Sequence, residues 1–311
     1  MSQIRTIFIG TPDFALPALK SLARDTDFLI KAVITQPDMP AGRNLTPTPP
    51  PVKELALKYN LEVWQPQAIT QVLDNIRDLE PDLIVVAAYA QIIPEAILNI
   101  PRYGCINVHA SLLPRYRGAS VIQAPILNND KETGVTIMLM DKTLDTGPIL
   151  YQEALPIAED ETALTLSDKL AELSGKILTP AIKKYIQGKL TPQIQDSTKS
   201  TYVKMLKKEN GIVDWTKSAV EIERLVRAMT SWPSAWTWIK GKQMKILAVD
   251  QEPLNLNTYK PGKTFIYNNC LAVQCGTDAL IIKRLKMEGK NEISGEDFVR
   301  GYQDLLGAIL G

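Results

Sequence analysis

"PDLIVVAAYA", residues 81–90, and "CINVHASLLP", residues 105–114, hold the two runs on which the fold turns. Leu83–Ala87 and Cys105–His109 show little alternation between apolar and polar positions. Strands covered on both faces read this way, whereas a sheet with one wet face alternates. Ile4–Ile9 and Phe28–Ile34 have the same character. Helical periodicity falls between and after them, at Pro17–Arg24, Val52–Tyr59, Ile69–Leu79 and Ala119–Asn128. Strand alternating with helix predicts an α/β architecture with a doubly wound, mostly parallel sheet of Rossmann-like type. Two further strands, Gly134–Met140 and Ile149–Leu155, flank the turn-like "KTLDTGP", and Leu164–Gln187 reads as a long amphipathic helix.

The pattern changes after residue 187. "GKLTPQIQDSTKSTYVKMLKKENG" is polar, contains Pro, Ser and Thr, and carries four lysines between Lys199 and Lys208. It predicts a linker over 188–210 that joins a domain at 1–187 to a second at 211–311. After a helix at Val220–Met229, short strand-like runs recur at Trp236–Lys240, Lys245–Val249, Lys263–Tyr267, Leu271–Cys275 and Leu280–Leu285. Their spacing and turn signals predict a small β-barrel or sandwich. The prolines of Pro37–Pro51, "PDMPAGRNLTPTPPP", exclude a packed helix and predict an exposed loop near strand ends.

Composition narrows the function classes. The chain has 311 residues, 45% hydrophobic and 22% charged, with a net charge of +1. That balance belongs to a globular protein and excludes a strongly basic nucleic-acid coat or an acidic tail. From residue 191 onward 17 Lys and Arg face 13 Asp and Glu, so the slight positive excess lies in the second part. The three cysteines have no CxxC spacing and fit reduced thiols in the cytoplasm. The amino terminus lacks the regions of a signal peptide, and no apolar run reaches the ~20 residues that span a bilayer. A monomer with no membrane association is expected.

Several motifs are absent. Gly10 stands alone where dinucleotide folds carry GxGxxG, and neither a P-loop nor a GxSxG elbow occurs. One histidine and scattered cysteines make a poor zinc ligand set, so no metal is expected. What remains is that single histidine, His109, at the carboxyl end of a strand, where open α/β sheets present ligands. Residues two apart on a strand share a face, so Asn107 stands beside it. A carboxamide and an imidazole on one buried face are costly unless both are hydrogen-bonded. Taken singly, His109 reads as a satisfied structural residue, Asn107 as a loop support, and Asp145 as a turn residue bonding its own backbone.

The combination is more specific. "INVHASLLPRYRG" followed by "ETGVTIMLMDKTLDTGPIL" resembles the signature of the formyltetrahydrofolate-dependent formyltransferases. "IFIGTPDFALPAL", "VITQPDMPAGR", "PDLIVVAAYAQIIP" and "CINVHASLLPRYRGAS" follow that family in order and spacing. "TLSDKLAELSG", "EIERLVRAM" and "WPSAWT" are similar to the branch whose acceptor is methionyl-initiator tRNA. The resemblance covers nearly the whole chain and implies an OB-like β-barrel for the second domain. It implies that Asn107, His109 and Asp145 form the catalytic trio and that 10-formyltetrahydrofolate is the co-substrate. It further implies a pterin pocket formed by Ala87, Ala88, Tyr89, Ala90, Ile92, Ser111, Leu112, Leu113 and Pro114, with Phe14 alongside.

The residue chemistry suits such roles. When an amine attacks a formyl carbon the carbonyl oxygen becomes an oxyanion, to which the Asn107 amide and a protonated His109 can donate. A carboxylate at Asp145 orients the ring and favours its cationic form. Nucleic-acid phosphates call for Lys and Arg, and the candidates are Arg43, Lys204, Lys207, Lys208, Lys240, Lys242 and Lys245. Two positions depart from the family pattern: "NLTPTPPP" replaces a lysine-bearing loop after Arg43, and Ala90 stands where glycine is usual. Three other readings remain: a sugar-nucleotide amine as acceptor, water as acceptor, and an RNA-binding protein with an idle pocket.

Overall fold

The computed structural model describes residues 3–41 and 46–311. The chain separates into two compact units. One gathers the chain up to Val121 with Glu132–Pro156 and Ser167–Val203; the other gathers Ile122–Lys131, Ile157–Leu166 and Lys204–Gly311.

The strands of the first unit are β1 (Ile4–Gly10), β2 (Phe28–Ile34), β3 (Met39–Ala41), β4 (Thr46–Thr48), β5 (Val63–Trp64), β6 (Leu83–Ala87), β7 (Cys105–His109), β8 (Arg117–Gly118), β9 (Glu132–Leu139), β10 (Ile149–Pro156) and β11 (Tyr202–Val203). Seven of them form one sheet in the order β10-β9-β7-β6-β1-β2-β5. Its neighbours from β5 to β7 are parallel, and β9 and β10 run antiparallel. Consecutive residues Ile7, Phe8 and Ile9 are all 0% exposed, as a strand covered on both faces requires. Each such side chain contributes about 1.5–3 kcal/mol of burial, so a single charge placed at Val85 in β6 would break the layer.

The chain winds β1, β2, β5 toward one edge and then returns to β6 on the other side of β1. That reversal opens a crevice beyond the carboxyl ends of β1 and β6, the usual ligand position in such sheets. Gly10 closes β1 because nothing larger fits. A Cβ there would lie 2.8 Å from the Ala87 carbonyl oxygen and 3.0 Å from the Ala15 Cβ.

Four local expectations are modified. The helix expected at Ala119–Asn128 covers only Gln123–Leu127. Arg117–Gly118 instead pairs in parallel with Tyr202–Val203, and the Ala119 N–H donates to the Val203 carbonyl, which delays the helix. Ile69–Leu79 divides into a 3-10 turn, Ile69–Val72, and a helix, Leu73–Asp78. In the proline-rich stretch β3 and β4 pair antiparallel with Pro40 opposite Pro47. Proline has no N–H, so it is tolerated at a pair that exchanges no ladder bonds. Finally, residues 188–203 of the expected linker group with the first unit, Gln195 is buried, and β11 is paired.

The second unit contains β12 (Ala235–Ile239), β13 (Lys242–Val249), β14 (Thr264–Tyr267), β15 (Cys270–Gln274), β16 (Ala279–Met287) and β17 (Glu292–Ser294). They form an antiparallel sheet in the order β12-β13-β16-β15-β14, with β17 on β16. Met244, Ile246, Leu271, Val273, Ile282 and Leu285 turn inward onto the helix Ala219–Ala228 and onto Phe298. Among the described residues no strand pair joins β12 to β14. The last residues reach both edges instead: Thr264 N–H donates to Ala308, Leu310 N–H to Gly262, and Gly311 N–H to Trp238. The carboxyl-terminal segment thus satisfies backbone groups that an open sheet leaves unpaired.

Candidate active site

β7 carries Cys105, Asn107 and His109 on one face. Cys105 is 1% exposed, and burial pushes its thiol up to about 12, so it is no nucleophile near neutral pH. Asn107 is half-buried and His109 is 5% exposed. Asp145 comes from the loop between β9 and β10 and sits in the left-handed region at φ 54°.

Asn107 and His109 converge on one oxygen of Asp145. Asn107 Nδ2 lies 3.5 Å from Asp145 Oδ1, and His109 Nδ1 lies 3.6 Å from the same atom. Both separations exceed a tight hydrogen bond. The other carboxylate oxygen is anchored: the Gly118 backbone N–H donates to Oδ2 at 2.8 Å. His109 Nε2 lies 2.9 Å from the Tyr116 carbonyl oxygen. A carbonyl oxygen only accepts, so Nε2 carries a proton and donates it there. The ring is therefore held at Nε2, and Nδ1 is the nitrogen that faces Asp145.

The "SLLP" turn is braced from beneath. The Thr136 hydroxyl donates to the Ser111 carbonyl at 2.6 Å and accepts from Leu113 N–H at 3.1 Å and Gln152 Nε2 at 2.8 Å. Gln152 also donates to the Leu113 carbonyl at 2.9 Å. The Ser111 hydroxyl, fully buried, donates to the Arg115 carbonyl at 2.8 Å. Leu112 and Pro114 are half-buried and Leu113 is buried.

At the crevice, Phe14 is 8% exposed after β1, and Ala87 is buried at the end of β6. Ala88 and Ala90 are exposed with φ of 49° and 65°, and Ile92 is 84% exposed. Left-handed backbone at Ala88 and Ala90 turns their neighbour Tyr89 inward, where its ring joins the core with Ile84 and Ile97. Burial pushes the Tyr89 hydroxyl up to about 12, and its oxygen has no hydrogen-bond partner among the described residues. Of this segment, then, Ala88, Ala90 and Ile92 face outward while Ala87 and Tyr89 are buried.

Of the basic residues, Arg43 lies outside the described residues. Lys204, Lys207, Lys208, Lys240 and Lys242 are exposed and Lys245 is half-buried, all in the second unit. Lys208 Nζ stands 5.6 Å from the Trp236 ring centre, and Lys245 lies opposite Trp236 in the β12–β13 register. The Lys240 ammonium is occupied by the Asp304 carbonyl. Among the described residues, no group of three or more His, Cys, Asp or Glu could hold a metal ion, and no helix is long and apolar enough to cross a membrane.

Reasoning from sequence missed the groups that hold the trio. Gly118 and Arg117 lie inside the quoted "PRYRG", where Gly118 reads only as the opening of a helix, and Thr136 and Gln152 read only as strand positions. Gln195 was concealed in polar sequence. Its Nε2 donates to the carbonyls of Asp145 and Gly147 at 3.0 and 2.7 Å.

A doubly wound sheet with a polar constellation at its carboxyl ends, joined in one chain to an antiparallel sheet, defines a class that the comparisons identify. Residues 4–182 match the formyl transferase model and residues 205–303 match that of the formyl transferase C-terminal domain. The chain belongs to the formyltransferase family. Its relatives include the methionyl-tRNA formyltransferases of Citrifermentans bemidjiense, 41% identical over 100% of this chain and 98% of that protein, and of Geotalea uraniireducens, 43% identical over 100% and 99%. Solved structures of similar fold include the N-formyltransferase of Helicobacter canadensis with folinic acid and dTDP-3-aminofucose. It has a TM-score of 0.68 at 19% identity and covers 90% of this chain and 99% of that one. HypX from Aquifex aeolicus with tetrahydrofolic acid has a TM-score of 0.64 at 16% identity, over 96% of this chain and 47% of its own.

Proposed function

We propose that this protein transfers the formyl group of 10-formyltetrahydrofolate to the free amino group of methionyl-initiator tRNA, as a cytoplasmic monomer serving translation initiation. The observation that carries the reading is likeness to methionyl-tRNA formyltransferases along the whole chain, both units included.

The crevice residues fit a reduced folate. Exposed Ala88, Ala90 and Ile92, with half-buried Leu112 and Pro114, offer apolar surface between peptide groups, and the buried Ala87, Phe14, Ser111 and Leu113 complete the proposed set. A flat heterocycle needs such walls with a few polar edges. When bound, the folate supplies the formyl group. The remaining chemistry belongs to the side chains.

Asn107 Nδ2 carries two hydrogens and donates to the formyl oxygen as negative charge gathers there; losing one such donor costs on the order of 100–1,000-fold in rate. His109 has its Nε2 proton committed to Tyr116, so every proton it exchanges passes through Nδ1. Neutral, Nδ1 accepts the proton of the attacking amine; protonated, it returns one to the departing nitrogen. Asp145 Oδ1 stands 3.6 Å from Nδ1 and keeps the ring oriented for both transfers. Lys204, Lys207, Lys208, Lys242 and Lys245, with Arg43 and Lys240, are the proposed phosphate contacts, and tRNA binding should weaken steeply with salt.

The test is direct. The protein is mixed with 10-formyltetrahydrofolate and methionyl-initiator tRNA, with methionyl-elongator tRNA and an amino-sugar nucleotide as parallel acceptors. Formylmethionine on initiator tRNA is the expected product. His109→Ala and Asp145→Asn keep the fold and reduce turnover by at least about 100-fold. Formylation of the sugar alone would overturn the choice of acceptor, and a folded His109→Ala variant with ordinary turnover would overturn the mechanism.

A further inference from the structure

We propose that Gln195 is a positioning residue for the reaction, holding Asp145 at the angle its carboxylate requires. The proposal rests on the catalytic reading of Asp145 and deepens it.

Asp145 occupies a left-handed conformation that is unfavourable for a residue with a Cβ. Its loop neighbours Asp141 to Leu144 are exposed and give it little packing. Something must over-determine the geometry, and the hydrogen bonds identify it. Gln195 spends both amide hydrogens on the loop, one on the Asp145 carbonyl and one on the Gly147 carbonyl, bracketing Thr146. Its carbonyl oxygen accepts from Arg117 Nε at 3.1 Å and Nη2 at 2.8 Å. Every polar valence of the amide is filled. A guanidinium only donates, so Oε1 must face Arg117 and Nε2 must face the loop.

Arg117 is itself fixed. It is 2% exposed, its Nη1 donates to the Tyr202 hydroxyl at 3.0 Å, and its Nη2 lies 3.5 Å from Ser197 Oγ. The next residue, Gly118, donates its N–H to Asp145 Oδ2. The Arg117–Gly118 dipeptide therefore grips Asp145 twice, at the carboxylate directly and at the main chain through Gln195. Gly118 adopts φ 113°, and a Cβ there would stand 2.2 Å from the Val203 carbonyl oxygen. The grip thus depends on the β8–β11 pairing, which the segment carrying Gln195 leads into. Gln195 has no hydrogen bond to Asn107 or His109; its path to the reacting atoms runs through Asp145.

Gln195→Glu separates positioning from packing. The carboxylate keeps the shape and still pairs with Arg117, but it cannot donate to the two loop carbonyls. The expected result is a fall in kcat of about 10–100-fold with KM for folate and tRNA changed less than about threefold. Two loop carbonyls lose their donor, so the melting temperature should fall without loss of the fold. If Gln195 acts only through Asp145, adding Gln195→Glu to Asp145→Asn costs nothing further, because the two losses share one route. Wild-type kcat in Gln195→Glu, or the same factor lost again in the Asp145→Asn background, would overturn the proposal. Should Gln195→Glu fail to fold, Arg117→Lys carries the same test, since it dissolves the bidentate contact but leaves the cation; a kcat loss there that vanishes in the Asp145→Asn background supports the role, and an additive one refutes it. An Asp145→Asn enzyme with ordinary turnover would instead bring down the catalytic reading itself, and this role with it.

Discussion

At the scale of single residues, the site depends on a few groups whose alternatives are excluded by geometry. Gly147 is one: a Cβ there would stand 1.9 Å from the Leu139 carbonyl oxygen, so the loop that delivers Asp145 passes against β9 only as glycine. Thr136 is another. Fully buried, its hydroxyl serves Ser111, Leu113 and Gln152 together. Thr136→Val preserves the shape and strands these partners, and stability should fall by about 2–3 kcal/mol in urea titration; an unchanged midpoint would show that the Ser111 carbonyl finds another donor and the Leu113 and Gln152 N–H groups other acceptors. His109 illustrates what one residue reveals in isolation. Its place at the end of a strand was legible, and so was its shared face with Asn107. Which ring nitrogen faces the chemistry was not, because the answer lies in the carbonyl of Tyr116, seven residues on and around a turn.

At the scale of elements, the parallel strands were readable because each is buried on both faces and shows it in composition. β2, β6 and β7 coincide with Phe28–Ile34, Leu83–Ala87 and Cys105–His109. The two-residue strands β5, β8 and β11 were missed, since such short pairings have no periodicity to detect and exist only through their partners. Helix ends are local and could be reasoned about directly. Ser218 caps Ala219–Ala228: its hydroxyl accepts from Glu221 N–H, and the Glu221 carboxylate accepts from Ser218 N–H in return. Hydrogen bonds from Ser218 hold the Glu221 carboxyl below its ordinary range. Ser218→Ala should therefore destabilise the second unit by about 1 kcal/mol, read as a lower unfolding midpoint by tryptophan fluorescence, with Trp215 in that core as reporter.

At the scale of the whole molecule, charge placement sets the acid response of the first unit. Asp82 precedes β6 and receives the Arg5 backbone N–H at 2.9 Å and its Nε at 3.3 Å, with Arg102 Nε 3.2 Å away. Burial raises its carboxyl, but the hydrogen bonds from Arg5 and the charges of Arg5 and Arg102 outweigh that and hold it below the usual range. Because the folded value is depressed, its contribution is complete above the unfolded value near pH ~4 and is lost as pH falls through the folded one. Asp82→Asn should lower stability at neutral pH and flatten the acid limb below about pH 4. Urea midpoints measured across pH check this, and identical acid limbs in both proteins would contradict it.

The sequence by itself determined the layer order of strands and helices, the polar face of β7, and the likeness that names the family. Those features are written locally, in runs of buried side chains and in motifs of a few residues. The tertiary structure alone decided that the polar segment after the long helix sends Gln195 inward, that Arg117 is buried, and that Asp145 is gripped at both its main chain and its carboxylate. Each of those facts joins residues 27 to 78 positions apart. A hydrogen bond of that kind leaves no periodic trace in the chain, since either partner taken alone reads as an ordinary polar residue. Only folding brings donor and acceptor together and gives the pair its meaning.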